Sequence, residues 1–221
     1  MTVWFASGNE HKKRELTAIL ADRGWDGGLR SPADVGLDFA PEETEDSFRG
    51  NAMLKARALR DLLYAKGLCS LEDGDAIVAD DSGLCVDALG GRPGIHSARY
   101  AGAPGAECAD PSALTAGDRN ALLLGELGDS PDRGARFVCA MTVMFAGDRF
   151  FDAYETIEGE IVRTADLACG AGGFGYDPIF LVKGSGRTLA EFSEEEKNAV
   201  SHRGRAGAII AGFLRSLVCD R

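Results

Sequence analysis

The sequence has little of what builds zinc sites or disulfide frameworks. It contains three histidines and six cysteines, and no two cysteines are spaced as C-x-x-C. These residues give no zinc-ligand spacing. No apolar run approaches the ~20 residues that a membrane-spanning helix needs. Neither G-x-S-x-G nor G-x-x-x-x-G-K-[ST] occurs, so serine hydrolases and P-loop nucleotide hydrolases lose their main sequence support.

Basic charge is also scarce. Lysine and arginine number 24 against 35 aspartates and glutamates, which gives a net charge of -11. An acidic chain binds nucleic acid and anionic membranes poorly. We therefore expect neither as a partner, although a few basic groups or a metal could still bind a polyanion locally. The opening Met1–Phe5 leads into a polar turn rather than a signal peptide, so we expect a reduced, cytoplasmic protein with free thiols.

Glycine, by contrast, is abundant. There are 29 glycines among 221 residues, roughly twice the usual share. They follow no period and cluster at 83–94 and 170–175, which indicates functional turns. The composition is otherwise that of a globular protein, with 45% hydrophobic and 27% charged residues. This length suits one large domain or two small lobes, and we expect residues 1–221 to form a single domain of two lobes.

The hydrophobic pattern predicts an α/β fold with a mixed sheet, and we expect two lobes with a cleft between them. The expected strands are residues 2–6, 76–79, 135–146, 149–158 and 178–182. Four helices are expected. The first ends near residue 23, the second spans about 47–66, and the third runs from an Asp110-Pro111 cap to about 128. The last helix buries Ala206, Ile209, Ile210, Phe213, Leu214 and Leu217. Gly147-Asp148 predicts a hairpin turn, and Ser193 with Glu196 predicts a capping box.

Asp80 and Asp81 are the sharpest chemical signal. They follow the apolar run 76–79 directly, where we expect the strand to end. Buried carboxylates need a neutralising partner. Mg²⁺ suits them, because it binds one or two carboxylates together with phosphate oxygens and water. The alternative is an Asx turn completed by Ser82-Gly83, and the motif alone leaves both interpretations open.

The segment 170–175 matches G-x-G-x-x-G, but the dinucleotide interpretation fails. That fingerprint must follow a strand and open a helix. Here Tyr176-Asp177-Pro178 and an apolar run follow instead. We interpret the loop as a place where backbone N–H groups and an aromatic ring approach a ligand. Phe174 or Tyr176 could stack on a flat base, and the alternative is a surface turn with an ordinary core aromatic.

Lys197, His202 and Arg203 form a basic group near the start of the last helix. Ser201 could cap a helix that begins at His202 and directs its N-terminus towards an anion. The alternative is a solvated basic face. The same two interpretations apply to Lys12 and Lys13, which follow Ser7-Gly8-Asn9, and to Lys55.

Six segments, in collinear order over nearly the whole chain, resemble the inosine triphosphate pyrophosphatase family, also called dITP/XTP pyrophosphatases. The segments are 7–12, 51–56, 80–84, 88–94, 173–180 and 196–203. The resemblance implies Mg²⁺-dependent hydrolysis of ITP, dITP and XTP to the nucleoside monophosphate and pyrophosphate. It also implies an elongated mixed β-sheet flanked by helices, two lobes with a central cleft, and a homodimer.

The resemblance also implies roles for individual residues. Asp81 would bind Mg²⁺ and accept a proton, with Glu43 as the second metal ligand and Glu42 as the fallback. Lys55 would assist at the phosphates, and Ser82 would touch the substrate. The triphosphate would lie on Ser7, Gly8, Asn9, Glu10, His11 and Lys12. The base pocket would consist of Phe174, Gly175, Tyr176 and Asp177, with Lys197, His202 and Arg203 distinguishing a 6-oxo group from an amino group.

Three positions depart from the family pattern. His11 stands where many members have glycine, Gly50 replaces a glutamate, and Ala168-Cys169 replaces Pro-Arg. These departures bear on substrate breadth more than on reaction class. Two other functions remain as alternatives: a nucleotide pyrophosphatase with a different base preference, and a nucleotide-binding protein without catalysis.

Overall fold

A five-stranded mixed sheet organises the chain, in a computed structural model that describes residues 1–102, 113–170 and 172–219. The strand order is β1-β2-β3-β4-β5. The strands are β1 (Val3–Phe5), β2 (Ala76–Val86), β3 (Gly134–Phe145), β4 (Arg149–Ile161) and β5 (Phe180–Val182). β1 runs parallel to β2, with Val3 opposite Ala76. β5 runs antiparallel to β4, with Gly159 opposite Val182, so the predicted mixed α/β fold is confirmed.

Five α-helices accompany the sheet in the described residues. They are α1 (Glu10–Asp22), α2 (Phe48–Ala65), α3 (Ala116–Leu127), α4 (Glu194–Val200) and α5 (His202–Cys219). Polar caps set several starts, since Asn9, Ser47, Thr115 and Ser193 each accept a backbone N–H from the first turn. The capping box of Ser193 and Glu196 is present as predicted. Within these residues, no helix has the length and apolar character to cross a membrane.

The chain divides into two compact units. The first comprises Met1–Asp81, Cys139–Glu155 and His202–Arg221, and the second comprises Ser82–Val138 and Thr156–Ser201. In the second unit, α3 packs through Leu123 and Leu127 into a core that contains Phe137 and Phe180. The rings of Phe137 and Phe180 lie 4.8 Å apart between centroids. Each unit therefore has its own apolar core.

The first unit packs helices on both faces of its sheet. Val3 and Val78 lie in one core with Leu16 of α1 and Ile210 of α5. Trp4 and Ile77 lie in another with Leu59 and Leu63 of α2. Successive strand residues point to opposite faces. The alternation along β1 and β2 therefore assigns α1 and α5 to one face and α2 to the other.

The strand β2 is longer than the sequence predicts. It does not end at Asp80, as expected, but continues through both aspartates to Val86. Carboxylates would stop a buried strand only if nothing neutralised them. Both are paired with basic side chains from other elements, and local sequence does not reveal that pairing.

Three smaller expectations also change. Asp110-Pro111 lies outside the described residues, and the helix described there begins at Ala116 with Thr115 as its cap. A short 3₁₀ turn, Asp177–Ile179, delays β5 to Phe180. Ile209 is 40% exposed, because the buried face of α5 follows Ala206, Ile210 and Leu214 at a spacing of four.

The space around Gly159 of β4 and around Gly212 of α5 predicts opposite effects for substitutions at these two glycines. A Cβ at Gly159 would lie 2.4 Å from the Leu181 carbonyl oxygen, whereas a Cβ at Gly212 of α5 would meet nothing within 4 Å. We expect Gly159→Ala to lower the free energy of unfolding by about 1–3 kcal/mol through overpacking. Gly212→Ala should raise it by up to about 1 kcal/mol, because alanine favours the helix. Urea denaturation of both variants measures this, and a Gly159→Ala protein as stable as the wild type would contradict the register.

Candidate active site

A lysine joins two acidic side chains in the first unit. Lys55 of α2 places its Nζ 2.9 Å from Glu43 Oε1 and 2.8 Å from Asp81 Oδ1. Lys55 and Asp81 are 7% and 5% exposed. Glu42, the sequence-based fallback, is exposed. The structure thus brings Glu43 to Asp81, as the metal prediction requires, and sets the two carboxylates around one ammonium group.

Asp80 is held by a different set of cations. Lys12 Nζ lies 3.1 Å from its Oδ1 and 3.0 Å from its Oδ2, and Arg203 Nη2 lies 3.4 Å from Oδ2. The same guanidinium places Nη1 2.5 Å from Glu15 Oε2. Because neighbouring strand residues point to opposite faces, Asp80 meets α1 and α5 while Asp81 meets α2. Adjacent in sequence, the two aspartates therefore serve separate clusters.

The pKa values of these groups shift in different directions. Burial acts to raise the pKa of Asp80, but the charges of Lys12, Arg203 and Lys55 hold it well below its usual range. For Asp81, burial outweighs the opposing charge of Lys55 and raises the pKa. Burial acts to lower the pKa of Lys55, but the charges of Asp80 and Asp81 raise it. Asp80 is therefore a fixed anion, whereas Asp81 is the stronger proton acceptor.

The loop before α1 leads into an exposed helix N-terminus that Asn9 caps. Ser7 Oγ accepts the Asn9 N–H at 3.1 Å, and Asn9 Oδ1 accepts the Lys12 N–H at 3.1 Å. The residues Gly8, Asn9, Glu10 and His11 are exposed. A helix N-terminus favours anions through its unpaired N–H groups and its dipole. The predicted phosphate loop thus lies on an exposed helix start, beside Lys12.

In the second unit, Asp177 shapes the glycine loop. Its Oδ2 accepts the Phe174 N–H at 2.8 Å and Lys197 Nζ at 2.9 Å. Asp177 and Lys197 are 3% and 6% exposed. Gly173 has φ +72°, and a Cβ there would lie 2.1 Å from the same Oδ2. Glycine at this position is therefore required for the turn that carries Phe174.

The two aromatic residues of this loop have different environments. Tyr176 is buried, and its hydroxyl donates to the Ser97 carbonyl at 3.0 Å. Phe174 is 36% exposed, with Lys197 Nζ 5.2 Å from its ring centroid. Asn120 of α3 donates to the Gly175 carbonyl at 3.2 Å. The sequence did not decide which of these two aromatic residues could stack on a base. In the structure Phe174 is exposed and Tyr176 is buried.

The predicted site residues fall in both units. Those in the second are Ser82, Phe174, Gly175, Tyr176, Asp177 and Lys197, and the others belong to the first. His202 and Arg203 begin α5 as expected and are 5% and 2% exposed, whereas Lys197 lies on α4. Their shared role at a base stays a prediction. The sequence gives no role to Glu15, Asn51 or Asn120, because they contact Arg203, Asp81 and Gly175, which are distant in the chain.

The donor set of Glu43 and Asp81 suits a hard divalent cation. Carboxylate oxygens are the ligands that Mg²⁺ prefers, and it completes its shell with water and phosphate oxygens. Within the described residues, no group of three or more His, Cys, Asp or Glu side chains gathers as a protein-only metal cage. The pair therefore offers two oxygen ligands, and a Mg²⁺ ion held there would take the rest of its shell from water or phosphate oxygens.

Taken together, the fold and the site define a mixed-sheet α/β protein whose buried acids and lysines suit a phosphorylated ligand. Comparison with known proteins agrees with this class. The Ham1 family model matches residues 3–212, and the chain belongs to this family. The resemblance drawn from the six sequence segments is thereby confirmed.

Relatives extend over nearly the full length of the chain. The dITP/XTP pyrophosphatase of Treponema denticola is 42% identical over 215 residues, which are 97% of this chain and 99% of the relative. The solved Staphylococcus aureus Ham1 protein is 33% identical with a TM-score of 0.77, covering 98% of this chain and 99% of that one. A Mycobacterium abscessus structure, named nucleoside-triphosphatase / dITP/XTP pyrophosphatase, is 40% identical with a TM-score of 0.66, covering 95% of this chain and 98% of that one.

The buried pair of Lys197 and Asp177 predicts a measurable coupling. Lys197→Met leaves a buried carboxylate without its ammonium, and we expect a loss of about 3–5 kcal/mol in the free energy of unfolding. Adding Asp177→Asn should recover much of that loss, because an asparagine oxygen can still accept the Phe174 N–H. Urea denaturation of the two single variants and the double variant completes the cycle. If the double variant lost the sum of both single effects, the pairing would be wrong.

Proposed function

We propose that this chain hydrolyses deaminated purine nucleoside triphosphates, namely ITP, dITP and XTP, to the nucleoside monophosphate and pyrophosphate. Membership of the Ham1 family and full-length relatives named dITP/XTP pyrophosphatases support this activity. The observation that carries it is the joint placement of Glu43, Lys55 and Asp81. That cluster offers two hard oxygen ligands and a cation, which is what attack on a phosphorus atom requires.

The first unit supplies the groups proposed to hold the triphosphate. Backbone N–H groups at the exposed start of α1 would donate to phosphate oxygens, and Lys12 would add a positive charge beside them. Lys12 is fixed by both oxygens of Asp80, so its ammonium does not have to be ordered when substrate binds. Such preorganised charge lowers the barrier because it needs no rearrangement during reaction.

Glu43 and Asp81 are the proposed holders of Mg²⁺, which when bound would neutralise phosphate charge and position the reacting groups. Lys55 would stabilise negative charge that develops on the phosphate chain. Asp81 would also accept the proton of the attacking water, and its raised pKa favours that task. A bound cation would lower the proton affinity of this carboxylate, so its role as metal ligand opposes its role as proton acceptor.

Base recognition is assigned to a second set of residues. The exposed ring of Phe174 would stack on the purine, with Lys197 held beside it by Asp177. His202 and Arg203 are the proposed donors to the 6-oxo group. Arg203 must then serve the base while bound to Glu15 and Asp80. A 6-amino group would leave such donors unpaired, so discrimination between 6-oxopurines and 6-aminopurines can reach roughly 10⁴-fold.

A nucleotide panel tests the proposed reaction. We expect kcat/KM for dITP and XTP to exceed that for dATP by roughly 10⁴-fold, with pyrophosphate rather than orthophosphate released. Assays on ITP, dITP, XTP, dATP, dGTP and modified pyrimidine triphosphates in Mg²⁺ measure this. A preference for a pyrimidine would replace the proposal with the alternative base preference. Binding without turnover of any triphosphate would favour a non-catalytic nucleotide-binding protein.

Neighbouring glutamates provide a matched test of the acidic cluster. Glu43→Gln removes an oxygen charge from the pair around Lys55, whereas Glu42→Gln changes an exposed side chain. We expect Glu43→Gln and Asp81→Asn to lower kcat by roughly 10²–10⁴-fold with dITP binding retained, and Glu42→Gln to remain near the wild type. Steady-state kinetics and equilibrium binding of dITP in Ca²⁺ measure the two effects. Equal losses for Glu42→Gln and Glu43→Gln would remove the metal assignment.

A cytoplasmic homodimer completes the proposal. Four cysteines, Cys69, Cys85, Cys139 and Cys169, are free thiols, which agrees with a reducing compartment. A nucleotide-pool reaction would also place the enzyme with its substrates. Light scattering coupled to gel filtration tests the oligomeric state, and a monomer at all accessible concentrations would contradict the dimer.

A further inference from the structure

Asn51 connects the two acidic elements of the candidate metal site. Its side chain is completely buried on α2, one turn before Lys55. The amide is engaged at both ends. Nδ2 donates to Asp81 Oδ2 at 3.4 Å, and Oδ1 accepts the Glu45 N–H at 3.1 Å. One side chain thus links the strand that carries Asp81 to the loop that carries Glu43.

We propose that Asn51 is a positioning residue that holds Asp81 and Glu43 in the arrangement needed to bind a divalent cation. The inference rests on the proposed function, since it takes these two carboxylates as the metal ligands. Asn51 acts on each by a different route. It fixes the Asp81 side chain directly, and it fixes Glu43 through the backbone two residues further along.

The two oxygens of Asp81 show how its carboxylate is oriented. Lys55 donates to Oδ1 and Asn51 donates to Oδ2. An ammonium on a flexible stem acts nearly as a point charge and does not define the plane of a carboxylate. A second donor on the other oxygen does define it. Asn51 and Lys55 are four residues apart, so they project from one face of α2 towards the same group.

The path of the acidic loop depends on the same contact. A Cβ at Gly50 would lie 2.7 Å from Glu45 Cβ, so the loop passes close to the start of α2 and relies on glycine there. The Glu45 N–H then reaches the Asn51 oxygen.

Only a neutral amide of this length satisfies both contacts. Aspartate at this position would keep the acceptor for the Glu45 N–H but would place a negative oxygen beside Asp81. Alanine or leucine would remove the donor to the buried Asp81 Oδ2 and the acceptor of the part-buried Glu45 N–H, and losing such partners is costly in itself. Groups that orient a metal ligand from behind typically change metal affinity by about 10- to 100-fold when removed.

Mn²⁺ binding to the nucleotide-free full-length chain tests this inference. We expect Asn51→Ala to weaken Mn²⁺ binding by about 10- to 100-fold. The electron paramagnetic resonance signal of free Mn²⁺ measures this binding. The Mg²⁺ concentration for half-maximal dITP hydrolysis should rise similarly, while KM for dITP at saturating Mg²⁺ changes little. Ser47→Ala is the matched control, because it removes the cap of α2 without touching Asp81. It should lower the melting temperature and leave Mn²⁺ affinity within twofold.

A measurement on the wild type guards against a variant that fails to fold. Substoichiometric Mn²⁺ should broaden the Asn51 side-chain amide signals in a ¹⁵N-labelled sample. Unbroadened signals, or Asn51→Ala with wild-type Mn²⁺ affinity, would overturn the inference while leaving the proposed function intact. A wild-type chain that neither binds Mn²⁺ nor releases pyrophosphate from dITP in Mg²⁺ would overturn the proposed function, and the inference with it.

Discussion

The constraint on which the first unit depends is the burial of two consecutive carboxylates within one strand. Asp80 and Asp81 are 1% and 5% exposed, and unpaired charges at such positions would be too costly to keep. The pleat sends them to opposite faces, so each needs its own cation. Lys12 and Arg203 meet Asp80, and Lys55 meets Asp81. Helices from three distant parts of the chain are thereby joined to a single strand.

That arrangement separates two chemical tasks. The charges around Asp80 keep it ionised, so it serves as an anchor that fixes Lys12 beside the exposed start of α1. Asp81 has a raised pKa and shares Lys55 with Glu43, which leaves it suited to a cation and a proton. Lys12 and Arg203 already neutralise Asp80, so a metal proposed for this sequence motif concerns Asp81 and not Asp80.

Local signals in the sequence predicted much of the fold. Ser193 and Glu196 are three residues apart and cap their helix within a single turn, and Gly147-Asp148 adopts the positive φ values of a tight hairpin. Such features depend only on near neighbours, so a linear pattern contains them. Failures occurred where a distant partner or a packing face decided the outcome. β2 continued past Asp80 because of cations 68 and 123 residues away, and Ile209 lies one residue off the buried face of α5.

The family, the mixed α/β class and the residue types available for chemistry follow from the amino-acid sequence, because six collinear segments and short-range periodicity are properties of the chain order. The partner of each charged side chain, by contrast, depends on how the strands and helices pack. Tertiary packing places Glu43 against Lys55 and leaves Glu42 exposed. It also exposes Phe174, buries Tyr176 and gives Asn51 its two contacts. These outcomes depend on distances between side chains far apart in sequence, and such distances exist only once strands pair and helices pack on them.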